Sequence, residues 1–424
     1  MNITNSNFYS KNFQIFFLYL FFLTPIIIFF SKFFADLFLS IVAIYTLLYL
    51  IKKKNTLIFN NFLFFFIFIF YISLNLLINN FNLFLFAKSF LLIRFPLYML
   101  FPLILNIDAQ ILRKKFKFFF LFPLLFFILN LYIQAFFKID IFGNFTHNNY
   151  QRITSFFPSD EYIAGSYLFF IFSILFLVSK KFNFNKIILL SVIYFGIFLS
   201  GDRTPFIMTN LFLMILLFLN LNKFIFSKQF KIILTLIIIL PTLVFSLQLN
   251  NKINLTSFSK YKNTFKNIRN DINASENEIG LKRWPYYGMA AKSYTIFKKN
   301  IMFGSTYKSY RNECRNKKYY LDYSLLTNGL NYDGCSNHPH NIYLEILSEQ
   351  GLVGLILLIL TIYNFTLLKN LTLNNLNKLF YLVFLIVYFF PLRPFGSFYT
   401  NFGLVMFASV ISFYLIFNKI EKKL

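Results

Sequence analysis

The chain has 424 residues, 58% of them hydrophobic, with a mean hydropathy of +0.63 and 67 Phe against 13 Gly. No water-soluble domain of this length hides so much apolar surface, so the solvent for most of the chain must be lipid. A net charge of +26 would direct a soluble protein towards nucleic acid, but in a membrane chain basic residues are first tested against topology; they fit it, and no nucleic acid is expected as a partner.

A membrane span needs about 20 apolar residues. The pattern predicts twelve, at about 13–30, 33–51, 58–78, 84–106, 117–137, 163–179, 184–200, 204–222, 229–248, 343–366, 377–392 and 398–418. The expected fold is therefore an all-α membrane protein, a polytopic bundle of about 12 transmembrane helices. If the N-terminus is cytoplasmic, the short inside segments hold 19 Lys and Arg, among them Lys52, Lys53, Lys54, Arg113, Lys114, Lys115 and Lys117. The short outside loops hold five: Lys32, Lys138, Arg152, Arg203 and Arg393. That excess sets both ends in the cytoplasm. No cleavable signal is visible, and the first helix is long enough to anchor itself.

In chain order the expected division is nine helices over 1–248, a large loop subdomain over 249–340 on the outer side, and three helices over 341–424. A smaller outer loop, about 138–162, carries His147, Arg152, Asp160 and Glu161 and is long enough to cover a cavity mouth. The large loop holds 15 Lys and Arg against 6 Asp and Glu, which implies an anionic ligand. Within it the pattern predicts an amphipathic helix at about 286–299, next to Arg283 and the only Trp. Cys314 and Cys335 both lie in this loop, and either a disulfide or two thiols would fit, since distance is not readable from sequence.

The strongest local pattern runs from His338-Pro339-His340-Asn341 through Glu345, Glu349, Gly351 and Gly354, from the loop into the tenth predicted helix. Histidine exchanges protons near neutral pH, and a helix N-terminus favours anions and a neutral imidazole, so His340 is placed to act as a base. Glu345 and Glu349 share a helix face at a depth where carboxylates are costly unless they face a cavity or a partner such as Arg393 or Arg203. Gly351 and Gly354 are expected to allow close helix packing. Arg203, in the turn Ser200-Gly201-Asp202-Arg203-Thr204-Pro205, suits bidentate binding of phosphate oxygens, although Asp202 beside it could partly neutralise it. Arg94 and Lys88 lie within the fourth predicted span, and Arg94 is a weaker candidate. No Asp-x-Asp pair, His-Glu-x-x-His, Gly-rich phosphate loop or Cys cluster is present, so no metal or cofactor is expected.

His340-Asn341, nine residues, then Gly351-x-x-Gly354 resembles the signature of the O-antigen ligase and O-antigen polymerase superfamily. The Ser200–Thr204 turn, Arg283-Trp284 with Phe303-Gly304-Ser305, the Pro391–Phe398 stretch and Arg152–Gly165 look like further landmarks of that family, covering about 150–400. The resemblance implies a bacterial inner-membrane glycosyltransferase with its active site facing the periplasm. Its donor would be a glycan linked to undecaprenyl pyrophosphate, its acceptor the lipid A core or a second lipid-linked glycan, and its surroundings membrane lipids. His340 would be the catalytic base, and Arg203 and Arg283 would hold the pyrophosphate. Asn341, His338, Arg152, Arg393 and Glu349 complete the candidate substrate-binding set. Ligase chemistry is the first expectation, with polymerase chemistry or transfer to protein hydroxyls as alternatives. A transporter or lipid flippase is a more distant reading: that class expects paired repeats and interrupted helices near the midplane, whereas the polar signals here gather at one outer face.

Overall fold

The structure, a computed structural model, describes residues 11–53, 56–79, 82–143, 153–158, 161–178, 184–220, 285–316, 335–367, 375–394 and 396–421. Helices dominate, because backbone N–H and C=O groups inside a bilayer must be satisfied within their own segment. In chain order they are α1 (Lys11–Ile27), α2 (Lys32–Lys53), α3 (Leu63–Asn79), α4 (Leu83–Phe90), α5 (Arg94–Ile104), α6 (Ala109–Phe116) and α7 (Phe122–Phe137). Then come α8 (Ala164–Val178), α9 (Phe184–Leu199), α10 (Arg203–Asn220), α11 (Pro285–Lys299), α12 (Tyr310–Glu313), α13 (Ile342–Thr366), α14 (Asn375–Tyr388) and α15 (Asn401–Glu421). Short 3₁₀ or π segments join α4 to α5 and α6 to α7 into continuous rods.

Six helical stretches are long and apolar enough to cross a membrane: Lys32–Lys53, Phe59–Asn79, Leu83–Ile104, Ala109–Phe137, Ile342–Thr366 and Asn401–Asn418. Shorter apolar helices fall on five more of the predicted spans, at Asn12–Ile27, Ala164–Val178, Asn185–Leu199, Arg203–Leu219 and Asn377–Tyr388. The protein is thus a multi-pass membrane protein. The predicted span at 229–248 lies outside the described residues. The amphipathic helix expected at 286–299 is α11, which buries Met289, Lys292, Ser293 and Ile296 at helical spacing.

The bundle is organised around α15. Its span is 89% buried against 39% for Lys32–Lys53, and it packs on α2, α5 and α8. Aromatic rings fill the gaps: Phe21 meets Tyr98, Phe101 and Phe413, while Tyr381 and Tyr414 stack with centroids 3.9 Å apart. Arg94, the weaker candidate, is committed to this packing. Its guanidinium lies 2.7 Å from Asp36 on α2 and also donates to Asn401 on α15, which donates in turn to Asp36. An Arg at this depth is held by a counter-ion inside the bundle, as the cost of lipid exposure requires.

α13 departs from the sequence expectation. Gly351 sits at φ 67° and ψ −164° in its middle, so the helix is interrupted there, the feature expected of transporters rather than of this chain. The interruption has a local cause: the segment after α11 pushes its backbone into the break. Leu352 and Val353 donate their N–H groups to the carbonyls of Ile301 and Met302, while Ser305 and Thr306 donate to those of Ser348 and Glu349. Gly351 and Gly354 were expected to serve helix packing, but the role of Gly351 is this loop contact. A Cβ on Gly351 would stand 2.3 Å from the Met302 carbonyl oxygen, and one on Gly304, at φ 68°, would stand 2.4 Å from the Glu349 carbonyl carbon. The two glycines interlock, each leaving room for the other's backbone.

Candidate functional site

At the start of α13 the backbone is set for a cap. Asn341, in extended conformation, accepts hydrogen bonds through Oδ1 from the N–H groups of Tyr343 and Leu344, satisfying donors that a helix start otherwise leaves open. Its amide donates to the Pro391 carbonyl at 2.6 Å, and the Tyr343 hydroxyl donates to the Phe389 carbonyl at 2.5 Å. The turn after α14 is thereby tied to the entry of α13. His340, immediately before the cap, adopts a left-handed backbone at φ 55°, which an L-residue other than Gly occupies only where its surroundings over-determine it. Its ring lies 4.1 Å from that of His338 at 53°, and both side chains are half-buried.

The same turn carries Arg393. Its guanidinium donates to the Tyr388 carbonyl at 2.9 Å and lies over the Tyr388 and Phe169 rings. Burial lowers its pKa to about 10, partly offset by Tyr388 and by the charge of Asp202, so the group stays cationic at neutral pH. Asp202 also accepts from the Ser166 hydroxyl at 3.3 Å, and a Cβ on Gly165 would collide with Ser200 and Asp202. The Ser200–Thr204 turn is therefore seated on α8 beside the Arg393 turn, and Arg203 opens α10. The charge of Asp202, expected to bear on Arg203, acts on Arg393. Of the sequence candidates, His338 and His340 meet ring to ring beside Asn341, which is bonded to the turn that carries Arg393, and Asp202, whose charge acts on Arg393, immediately precedes Arg203. Arg283 and Arg152, with His147, lie outside the described residues.

Glu345 and Glu349 are buried, and neither pairs with Arg393 or Arg203 as one reading of the sequence expected. Glu345 accepts from the Ser397 hydroxyl at 2.5 Å and the Phe398 N–H at 2.7 Å. Glu349 accepts from the N–H groups of Lys308 at 2.7 Å and Tyr310 at 3.1 Å. Each carboxylate fastens one loop to α13, and hydrogen bonds to peptide N–H groups are what make a buried carboxylate tolerable. A disulfide joins Cys314 to Cys335, with Cα atoms 5.2 Å apart. It links the Glu349-bound loop to the strip of chain three residues before His338.

Several contributors escaped the sequence reading. Asn75 on α3 donates to the Phe303 carbonyl at 2.7 Å and to the Gln350 side chain at 3.0 Å, and the Tyr71 hydroxyl donates to the Gln350 carbonyl. The one available signal was an Asn deep in a predicted span, where polar side chains bind other helices or loops.

Residues 187–359 match the O-antigen ligase family. Over that stretch the chain is similar to the family. The match supports the superfamily resemblance and an O-antigen ligase or polymerase type of membrane enzyme. It spans Arg203, His338, His340, Asn341 and Glu349 as well as Arg283, and leaves Arg152 and Arg393 outside. No curated protein matches the chain.

Proposed function

We propose that the protein is an O-antigen ligase-type glycosyltransferase that moves a glycan from undecaprenyl pyrophosphate to an acceptor hydroxyl at the periplasmic face of the inner membrane. The observation that carries this reading is the placement of His340: a half-buried imidazole fixed at the N-terminus of α13, joined through Asn341 to the turn that bears Arg393. His340 takes the proton from the acceptor hydroxyl. The oxygen then bonds to the anomeric carbon, whose bond to the phosphate oxygen breaks with its electron pair going to the leaving diphosphate. Arg203 and Arg393, with Arg283 and Arg152 from the loops, bind that growing charge. His338 and Asn341 orient the acceptor and the base, and Glu349 contributes by holding the loop against α13. Attack in one displacement inverts the anomeric centre.

The test is His340→Ala in the native host, with surface polysaccharide and lipid-linked intermediates measured together. The expected result is loss of transfer by a factor of about 10² or more, the scale of general-base catalysis. Accumulated full-length lipid-linked polymer would mark a ligase, and accumulated single repeats a polymerase. Unchanged attachment and unchanged chain length would overturn the catalytic assignment.

A further inference from the structure

α3 holds two outer segments of the chain side by side. The Ser89 hydroxyl on α4 donates to that of Ser73 at 3.0 Å, and two residues further along α3 Asn75 holds the Phe303 carbonyl. These anchors bring Lys88, on α4, near the loop that carries Lys308 and Arg311. The Lys88 ammonium lies 3.9 Å from the Phe84 ring and that of Lys308 5.3 Å from the Tyr307 ring. Burial first, then the like charges of Arg311 and Lys88, push the Lys308 pKa down; Glu349 and Glu345 act the other way. The oxygens of those two carboxylates are already occupied by Lys308 N–H, Tyr310 N–H, Phe398 N–H and the Ser397 hydroxyl. The ion pairs of Lys32 with Glu161 and of Arg94 with Asp36 do not include these three cations. Beside them Leu83, Phe84, Met302 and Phe303 expose more than half of their surface. Mutually repelling cations next to an apolar strip at a membrane protein's outer end fit one ligand chemistry, a phosphate carried on a lipid.

We propose that Lys88, Lys308 and Arg311 form a second anion site, which takes the phosphate or diphosphate of a membrane-embedded substrate. It stands on the α3 side of α13, whereas the Arg203 and Arg393 cluster stands on the α10 and α14 side, and α13 packs on both α3 and α14. α13, which His340 precedes, thus runs between the two sides. Resting on the transferase reading, this site belongs to the acceptor and implies that the acceptor is itself lipid-borne, not a protein hydroxyl.

The experiment is native mass spectrometry of the purified full chain titrated with undecaprenyl diphosphate, with lipid A and with phosphatidylglycerol. For the wild type we expect two tightly bound phosphorylated lipids: two undecaprenyl diphosphates if the acceptor is a lipid-linked repeat, or one of these plus one lipid A if it is lipid A core. The double variant Lys88→Gln/Arg311→Gln should bind one of the two at least tenfold more weakly, while Arg203→Ala weakens the other. Lys308→Gln, which keeps its backbone N–H on Glu349, should reproduce the loss and covers the case of a double variant that does not fold. Unchanged stoichiometry and affinity in these variants would overturn the proposal, as would equally tight binding of phosphatidylglycerol at the same site. Transfer by His340→Ala is measured in parallel: persistent transfer would sink the catalytic reading, whereas the lipid count alone decides this site.

Discussion

At the scale of single residues, the carboxylates of α13 are fasteners. Glu349 satisfies two buried N–H groups, those of Lys308 and Tyr310, and leaving a buried donor open costs about 1–3 kcal/mol. Glu349→Ala is therefore expected to destabilise the protein by roughly 2–6 kcal/mol, visible as a lowered thermal midpoint of the purified protein. Glu349→Gln keeps one acceptor oxygen and should recover part of that loss; an unchanged midpoint in both variants would contradict the fastening role. Asn341→Ala removes both the cap and the bond to Pro391. It should cost about 1–2 kcal/mol and lower transfer more than stability, because the Arg393 turn loses its tie to His340. His340 and Asn341 were legible in the sequence because their chemistry and spacing are local. The partners of Glu345 and Glu349 were not, since both carboxylates bond to backbone groups, and a peptide N–H leaves no trace in residue identity.

At the scale of elements, the break in α13 and the loop that fills it form one unit. Its hydrophobic pattern predicts an unbroken helix, and Ile342–Thr366 does read as one long apolar stretch. Only the packing of Gly304 against Glu349 and Gln350, and of Gly351 against Met302 and Phe303, explains why the helix opens. Gly351→Ala should thus fail for two reasons. Its φ of 67° is costly for an L side chain, and the new methyl meets a backbone that cannot yield, together about 2–5 kcal/mol. A Gly351→Ala protein that kept its wild-type thermal midpoint and yield would show that the break is not required. The Cys314–Cys335 bridge closes the same unit from the other end. Opening a loop with sequence separation 21 forfeits about 3 kcal/mol of loop-closure entropy in the chain-entropy account. Cys314→Ser/Cys335→Ser should become sensitive to limited proteolysis within 300–340 while the helices stay protected. The disulfide was only one of two open outcomes in the sequence, because pairing depends on distance and α12 sets that distance.

At the scale of the whole molecule, the distribution of charge is the physical record of how the chain sits in its bilayer. The hydropathy pattern made eleven of the predicted spans recognisable as described helices, because lipid imposes the same requirement on each. Orientation is a separate matter, carried by Lys and Arg rather than by packing. The 19 inside cations against five outside predict that the C-terminal end of α2 and the start of α6 face the cytoplasm, while the turn after α7 faces outward. Single cysteines test this directly, since the native pair is disulfide-bonded and does not compete. Phe142→Cys, at an exposed position after α7, should react with a membrane-impermeant maleimide in cells whose outer membrane alone is permeabilised. Lys53→Cys and Asn106→Cys should react only after the inner membrane is opened. The reverse pattern would place His340, Arg393 and the 300–311 loop in the cytoplasm, and it would remove the periplasmic reaction together with the basis for a lipid-borne acceptor there.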